Sequence, residues 1–379
     1  MSTTWLRRGV SAIGISGSLL LGFVAPPAAT AAPAPTAAAS TGFTVAELAG
    51  PFASDAPVRG TYITVIDQLG SILKQRPDLV RKNLDTVVRI NNHATAAQRA
   101  DAIRINSDDR AISLSAALGP RLGAAFRSAL TAGRLPKVAA LIKGDVQRTS
   151  VPLGTTLPEK FYFNNPRPFI VAPSRIRRYD RPGGHIYEST RDPSFPSGHT
   201  AQGYWKAILL ATWIPELGPQ ILDRASEIGN SRIVLGVHYP LDVIGGRILG
   251  QALAADRLAD PGFAHLITAA GKELRAVLGR DLDAPLGQVI AAEHLGSADA
   301  AQYRRRLSYG FAQTNPTHWS TIPAEAAVLL RAAYPRLSDA QRLAILDRTA
   351  IPSAFPLLTA PGPNDGWERI NLVAALTAR

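Results

Sequence analysis

The sequence predicts an all-α protein. Apolar residues recur at spacings of three and four along most of the 379-residue chain, as they do on one face of a helix. The alternation of apolar and polar residues that marks strands is scarce. Hydrophobic residues make up 46% of the chain and charged residues 18%, so the chain can bury a large core and lacks the composition of a disordered protein.

An export signal is expected at residues 1–31. Arg7 and Arg8 supply positive charge, the stretch 9–24 is apolar, and Ala29-Thr30-Ala31 fits the small-residue pattern that precedes signal cleavage. The apolar stretch is short and rich in glycine, which disfavours the alternative of a transmembrane anchor. The arginine pair leaves both twin-arginine export and general secretory export open. The sequence therefore predicts a secreted or extracytoplasmic protein.

Residues 32–55 are rich in Ala, Pro, Thr and Ser and are expected to form a flexible lead-in. Helical periodicity begins near Thr61, where an apolar stripe is formed by Tyr62, Val65, Ile66, Leu69, Ile72 and Leu73. Further helices are predicted over 77–90, 95–105, 109–131 and 134–142. These elements open a helical domain that is expected to extend over residues 56–258.

The segment 150–196 differs from its surroundings because it is rich in proline, arginine, asparagine and aspartate. It is expected to be a long irregular stretch with one short helix. Long loops inside a helical domain usually carry function. Helices are predicted to resume over 198–214, 219–237 and 240–257.

A helical C-terminal extension is expected over residues 259–379. Its helices are predicted over 262–278, 286–293, 298–313, 323–333, 338–348 and 367–377, with a proline-rich extended segment before the last. The run Tyr303-Arg304-Arg305-Arg306 is basic, and such runs usually form a solvent-exposed helix face. One hypothesis for the extension is a binding module that places the protein on a surface.

Charge and cysteine content limit the function classes. The formal net charge is +12, and such a basic chain is typical of proteins that bind nucleic acid, anionic surfaces or phosphorylated ligands, although arginine-rich codon usage also produces it. No basic stripe interleaved with aromatic residues is present, which disfavours nucleic acid as a partner. The absence of cysteine excludes disulfides, cysteine-ligated metal sites and a thiol nucleophile.

Stable membrane insertion after signal cleavage is not expected. The apolar stretches near 207–214 and 243–255 are too short to cross a bilayer, and Lys206 and Arg247 flank or interrupt them. No pattern in the sequence indicates an oligomeric state.

Three short segments combine the residue types that phosphate chemistry requires. They are Lys160-Phe-Tyr-Phe-Asn-Asn-Pro-Arg167-Pro168, Phe195-Pro-Ser197-Gly198-His199-Thr200 and Ser231-Arg232-Ile-Val-Leu-Gly-Val-His238-Tyr-Pro-Leu-Asp242. Arg167 and Arg232 offer forked donors that match phosphate oxygens, and Lys160 offers a point charge. Ser197 and Gly198 precede a predicted helix, whose N-terminus presents free N–H groups to an anion.

Two histidines are candidates for covalent and acid–base chemistry. Asp242 follows His238 by four residues, and a carboxylate within reach of an imidazole fixes its tautomer and stabilises the imidazolium. A histidine nucleophile needs both effects. His199 supplies a second imidazole that can donate a proton to a leaving group.

Together the three segments resemble the signature of the type 2 phosphatidic acid phosphatase (PAP2) superfamily. That superfamily includes bacterial class A non-specific acid phosphatases, lipid phosphate phosphatases and vanadium haloperoxidases. Its signature is Lys, six residues and Arg-Pro, then Pro-Ser-Gly-His, then Ser-Arg, five residues, His, three residues and Asp. The chain has every fixed position of this signature. The resemblance implies a PAP2-like catalytic helical bundle over residues 56–258.

The resemblance also implies a role for each signature residue. His238 would attack phosphorus and become a phosphohistidine, Asp242 would orient it, and His199 would protonate the leaving oxygen and then activate water. The phosphoryl oxygens would be held by Lys160, Arg167, Ser197, Gly198 and Arg232. No metal ion or other cofactor would be required, and the substrate would be a small phosphorylated molecule. Ser231 is expected to have a structural role.

A secreted, metal-independent acid phosphatase is the favoured function within the superfamily. Thr200 after His199 and the export signal are typical of the bacterial acid phosphatases. The lipid phosphate phosphatases are multi-span membrane proteins, which this sequence does not resemble outside the motifs. The remaining alternative is a vanadium-dependent haloperoxidase, in which the same pocket would hold vanadate as a cofactor.

Overall fold

The structure, a computed structural model, describes residues 42–55, 62–142, 156–179, 184, 186, 192–313, 317–353, 355, 358 and 365–378. The expected export signal at residues 1–31 lies outside these ranges. Throughout the described part the regular elements are helical and no strand is present, which confirms the all-α prediction. The α-helices are α1 Val45–Ala49, α2 Leu69–Gln75, α3 Pro77–Asn92, α4 Ala96–Ser107, α5 Arg110–Leu114, α6 Pro120–Thr131, α7 Pro136–Ile142, α8 Leu157–Phe163, α9 Pro168–Val171, α10 Gly198–Trp213, α11 Gly218–Val234, α12 Pro240–Ala259, α13 Pro261–Asp281, α14 Leu286–Ala292, α15 Ala300–Ser308, α16 Asp339–Thr349 and α17 Leu372–Thr377.

Short 3₁₀ segments complete the helical structure and fall within or overlap four of the predicted helices, those beginning near Thr61 and those at 109–131, 323–333 and 367–377. They span Ala53–Asp55, Tyr62–Ile66, Ser115–Leu118, Pro215–Leu217, Ala324–Leu330 and Gly366–Arg369. The predicted helix 109–131 is interrupted because Gly119 has a φ of 90° and Pro120 starts α6. Proline at a first helical position has no N–H to bond backwards, so the chain turns there and begins a new helix.

The centre of the fold is α12, which packs against α10 and α11. Every residue of α12 from Pro240 to Leu258 is buried. A helix that is apolar on all sides is expected to lie inside a protein rather than on its surface. Its few polar side chains are held by partners, as where the Tyr62 hydroxyl donates to Asp256 at 2.6 Å.

Two glycines of α12 allow α10 to approach closely. A Cβ atom added at Gly246 would lie 2.5 Å from the Ser197 carbonyl oxygen, and one at Gly250 would lie 2.6 Å from that of Ala201. Both contacts are with backbone, which cannot swing away as a side chain can. The lack of side chains at these two positions therefore sets the distance between α10 and α12 and brings their N-terminal ends together.

The C-terminal extension packs directly on α12, and residues 39–379 form one compact unit. The buried Arg247 guanidinium donates to the carbonyl oxygens of Glu368, at 3.0 Å, and Ile370, at 3.3 Å. The extension thus supplies the hydrogen-bond partners of a cation in the middle of the central helix. Leaving such a group buried and unpaired would cost free energy.

The described end of the expected lead-in also contacts the core. Arg257 of α12 donates to the Ser54 hydroxyl and to the Asp55 carboxylate, both at 2.8 Å. Ser54 in turn donates through its amide to Asp260 at 2.8 Å. The segment 53–55 is therefore attached to the C-terminal end of α12.

The helices of the described residues can be compared with the length and hydropathy of a membrane-spanning helix. There, no helix combines the length and the hydropathy that a bilayer crossing requires.

The close approach at Gly250 predicts a large stability effect for a single methyl group. We expect Gly250→Ala to lower the free energy of unfolding by about 1–3 kcal/mol, because the added Cβ would overlap the backbone of α10. The matched control is Gly287→Ala in α14, where nothing lies within 4 Å of the added Cβ. That change should raise the free energy of unfolding by about 0.5–1 kcal/mol, since alanine is the better helix former. Urea unfolding of both variants measures the two effects, and equal stability of the Gly250 variant and the wild type would contradict the packing argument.

Candidate active site

The three sequence segments meet where the N-terminal ends of α10 and α12 lie side by side. The Ser197 amide donates to the Asp242 carbonyl oxygen at 2.9 Å, which joins the two helix starts. The short helices α8 and α9 contribute Lys160 and Arg167, and the last turn of α11 contributes Arg232. Residues that are up to 82 positions apart in the chain are thereby brought to one buried place.

Lys160 reaches the site from α8. Its ammonium group donates to the carbonyl oxygens of Pro193 and Ser194 and lies 3.9 Å from a carboxylate oxygen of Asp192. Burial, together with the charge of Arg167, lowers the Lys160 pKa to about 8. A positive charge held among carbonyl oxygens in low dielectric interacts strongly with any anion that enters.

Arg167 is the N-cap of α9 and is almost fully buried. Its Nε donates to the Asp192 carbonyl oxygen at 3.0 Å, and one Nη donates to the Asp192 carboxylate. The other Nη donates to the Val237 carbonyl oxygen at 2.8 Å and lies 3.2 Å from Nε2 of His238. The guanidinium fork is thus fixed at both ends and faces the imidazole.

His238 lies in the turn that leads into α12. The chain reaches this turn through Gly236, whose φ is 70°. A Cβ atom added at Gly236 would lie 2.3 Å from the Ile176 side chain, so only glycine fits there. Pro240 begins α12, as the sequence predicted, and Asp242 occupies its first turn. One carboxylate oxygen of Asp242 accepts from the Tyr239 amide at 2.8 Å and lies 3.1 Å from Nδ1 of His238.

The neighbours of the His238 ring determine its tautomer. Arginine carries only donors, so Nε2, which faces Arg167, must be the accepting nitrogen. Nδ1 then carries the proton and donates it to Asp242. The lone pair on Nε2 consequently points to the cationic side of the pocket, where a phosphoryl group would enter.

Burial and charge keep the His238 ring neutral. Burial, with the positive charges of Arg167 and Lys160, holds the pKa of His238 well below its usual value. Burial also raises the pKa of Asp242 to about 7, although the Tyr239 amide and Lys160 oppose that rise. A neutral imidazole is the nucleophilic form, since protonation would remove the lone pair on Nε2.

His199 lies in the first turn of α10. A backbone hydrogen bond with Asn106 engages its ring, while Nε2 is buried without a partner among the described residues. The nitrogen that bonds Asn106 is therefore Nδ1. Burial, with the charges of Arg232 and Arg110, lowers the His199 pKa well below its usual value. The unpaired Nε2 is free to exchange a proton with a ligand in the pocket.

Arg232 is fully buried between α11 and α4. Its Nε donates to the Ser231 hydroxyl at 3.0 Å, and its two Nη atoms donate to the Asn106 side chain at 2.7 Å and the Ala102 carbonyl oxygen at 3.1 Å. Its charge lowers the pKa of both His199 and His238, which places it near both rings. Ser231, expected to be structural, positions the guanidinium.

Ser197 and Gly198 form the start of α10. The Ser197 hydroxyl caps the helix by accepting from the Thr200 amide at 3.3 Å and the Thr200 hydroxyl at 2.9 Å. A Cβ at Gly198 would lie 2.9 Å from the Thr156 hydroxyl oxygen, so a side chain does not fit without a shift. The missing side chain at Gly198 therefore lets the start of this 16-residue helix pack against Thr156, and the N-terminus of such a helix favours a nearby anion.

Two further residues belong to the site although the sequence did not single them out. Asp192 pairs with Arg167 and lies near Lys160, so a half-exposed carboxylate offsets part of the cationic charge. Asn106 holds both Arg232 and His199. Asp192 lies three residues before the second motif, and this position is the only hint of its role in the sequence. Asn106 lies on a separate helix far upstream, where no local pattern distinguishes it.

The described residues offer cations rather than metal ligands. In these ranges no group of three His, Asp or Glu side chains is arranged to hold a metal ion. Oxyanion donors come from Lys160, Arg167, Arg232 and the α10 N-terminus. Chemically the pocket can bind a tetrahedral oxyanion beside a neutral, oriented imidazole, with a second imidazole nearby for proton transfer.

Comparison with known proteins matches this region. The family model described as "PAP2 superfamily" matches residues 147–259. An acid phosphatase of Zymomonas mobilis is 34% identical over 38% of this chain and 52% of its own length. A non-specific acid phosphatase of Providencia stuartii is 38% identical over 20% of this chain and 30% of its own length. A non-specific acid phosphatase of Salmonella typhimurium is 31% identical over 31% of this chain and 46% of its own length.

The chain spans about half the length, or less, of these curated relatives. The matched region contains the pocket and the helices α10 to α12 that form it, with every signature residue in the expected order. Residues 147–259, which contain the candidate active site, are therefore similar to the PAP2 superfamily.

Proposed function

We propose that the protein is a phosphomonoesterase of the acid phosphatase type, working through a phosphohistidine and without a metal ion. The observation that carries the proposal is the neutral His238 imidazole, held by Asp242 at one ring nitrogen and facing Arg167 with the other. The acid phosphatases among its relatives support the same reaction class. Its substrate is a small molecule with an exposed phosphate monoester.

In the first step, Nε2 of His238 attacks phosphorus and forms a P–N bond. The bond from phosphorus to the leaving oxygen breaks, and that oxygen takes a proton from His199. The His238 ring becomes cationic as it loses its lone pair to phosphorus, and the Nδ1 hydrogen bond to Asp242 stabilises that charge. Arg167, which donates to Nε2 in the substrate-free site, transfers its hydrogen bonds to the phosphoryl oxygens.

In the second step, His199 is the base. It takes a proton from a water molecule that attacks phosphorus from the side the leaving group has vacated. The P–N bond breaks, its electron pair returns to Nε2 of His238, and orthophosphate leaves. His199 ends the cycle protonated and ready to serve as the acid again.

Charge neutralisation is supplied by the protein itself. Phosphoryl transfer requires positioning and stabilisation of charge on the equatorial oxygens, a task that Mg²⁺ performs in many enzymes. Here Lys160, Arg167 and Arg232 carry three positive charges, and the N-terminus of α10 adds N–H donors. Burial, and after it the charge of Arg167, lowers the pKa of Lys160, and the negative charge of a bound phosphate would oppose that lowering.

We propose that the enzyme acts outside the cytoplasm. The signal-like pattern at residues 1–31 supports this location. Detecting the chain in culture medium or periplasm, with its N-terminus starting near residue 32, would verify export.

The nucleophile assignment predicts an almost complete loss of activity in His238→Ala. Turnover of an aryl phosphate should fall by roughly 10⁴–10⁶-fold, as when other enzymatic nucleophiles are removed. The exposed His265 on α13 gives the matched control, and His265→Ala should keep wild-type turnover. Acid-labile, base-stable phosphate should be trapped on quenched wild-type enzyme and not on the His238 variant. Near-wild-type turnover in a folded His238→Ala protein would contradict the mechanism.

The pKa shifts predict an acidic pH preference with a second bend near pH 8. The acid form of His199 is populated only at low pH, because its pKa is lowered, so log kcat/KM should rise as pH falls. Above about pH 8 Lys160 loses its proton and one phosphate contact, which adds a further decline. In Lys160→Arg the cation stays protonated and the bend near pH 8 should disappear. A bend that persists unchanged in that variant would show that another group causes it.

A paired assay separates the phosphatase from a vanadium haloperoxidase. We expect full phosphatase activity after EDTA treatment and competitive inhibition by orthovanadate, which mimics phosphate in shape and charge. We expect no bromide oxidation when vanadate and hydrogen peroxide are supplied together. Loss of activity in EDTA with recovery in a divalent metal would refute the metal-free mechanism. Rapid bromide oxidation with inert phosphate esters would replace the proposed function by the haloperoxidase.

A further inference from the structure

A second basic cavity lies on the other side of α11 from the candidate active site. Its volume is about 420 Å³, within the range of small-molecule sites. It lies between the catalytic helices and the C-terminal extension, and its polar walls come from α3, α4, α11 and α15. The polar residues that matter for binding are Arg89, His93, Gln98, Asn230, Arg305 and Arg306.

The cavity carries net positive charge. No carboxylate is among its lining residues, and within the described ranges neither Arg89 nor Arg305 forms an ion pair. Arg305 is instead held by a neutral group, because its Nε donates to the Gln302 side chain at 2.8 Å. At least two arginine charges therefore lack an acidic partner in the described part of the chain.

Arg306 is only partly satisfied within the protein. One Nη donates to the Ser226 hydroxyl at 2.9 Å, and the nearest carboxylate, that of Asp223, lies at 3.7 Å. Its Nε is buried without a hydrogen-bond partner among the described residues. A side chain with unused donors at the wall of a cavity is suited to an oxyanion, since arginine forks bind phosphate and sulfate oxygens in pairs.

The cavity is separate from the phosphate pocket. Asn230 and Val234 line it, whereas Arg232, two residues from each, points to α4 and the catalytic pocket. At 100° per residue these positions lie on opposite sides of α11. The extension is required for the cavity, because α15 supplies Arg305 and Arg306.

We propose that this cavity is a second binding site for a small molecule that carries two phosphate or sulfate groups. The two arginines without an acidic partner match one phosphate dianion, and the volume exceeds what a single orthophosphate fills, so the unused Arg306 donor and the remaining space suit a second anionic group. The amides of Gln98 and Asn230 add neutral donors and acceptors that fix orientation. Two residues of the basic run 304–306, Arg305 and Arg306, thus line the proposed binding site. This inference goes beyond the proposed phosphatase function and does not depend on it.

Calorimetric titration of the full chain with methylenebisphosphonate, which resists hydrolysis, tests the site. Arg89→Ala combined with Arg305→Ala should remove one binding equivalent or weaken it by about tenfold or more, since each lost charged hydrogen bond is worth about one decade of affinity. Arg304→Ala is the matched control, because Arg304 is exposed on the same helix and does not line the cavity. Aryl phosphate turnover should stay within about twofold of wild type in both proteins, because neither change touches the catalytic pocket.

Two further titrations define the ligand. Methylphosphonate carries one anionic group and should bind the cavity more weakly than methylenebisphosphonate. Methanedisulfonate carries two sulfonate groups, and its affinity relative to methylenebisphosphonate shows whether the cavity prefers sulfate or phosphate groups. All titrations are run at one salt concentration, because charge-driven binding is screened by salt. Equal stoichiometry and affinity in the double variant and in Arg304→Ala would overturn the proposal. So would parallel loss of binding and of phosphatase activity in the double variant, which would assign the arginines to the catalytic pocket.

Discussion

The burial of α12 is the constraint on which the remaining structure depends. A helix that is apolar on every side must be covered on every side, and α10, α11 and segments from both ends of the described chain provide the cover. Because Gly246 and Gly250 let α10 touch its backbone, the two helix starts lie together. Asp242 and Ser197 sit at those starts, so the same packing that stabilises the core places Asp242 beside the N-terminus of α10.

The resulting site holds several positively charged side chains in the protein interior, where the dielectric constant is low. Lys160, Arg167 and Arg232 are each held by carbonyl oxygens, and Asp192 supplies a partial counter-charge. The price of this arrangement is visible in the lowered pKa values of Lys160 and both histidines. In the proposed phosphatase, an entering phosphate dianion would offset this positive charge.

The C-terminal extension is part of the same compact unit as the helices that carry the pocket. The carbonyl oxygens of Glu368 and Ile370 accept hydrogen bonds from Arg247 inside α12, and α15 closes a basic cavity against α11. The extension therefore completes the core and forms one wall of the cavity. Its integration explains why the basic run of α15 faces other helices at Arg306 instead of lying wholly in solvent.

The sequence by itself determined the helical class, most helix positions and the signature residues of the site, because helical periodicity and motif spacing are local properties. It could not reveal Asp192 or Asn106 as members of the site, since their roles come from contacts with Arg167, Arg232 and His199 that are distant in the chain. It also could not determine the tautomer of His238, which depends on a guanidinium brought within 3.2 Å by folding. Nor did it show the cavity behind α11, because a basic run becomes a binding wall only when another helix packs opposite it. Those features were decided by tertiary structure, where burial and the proximity of charges set the chemistry.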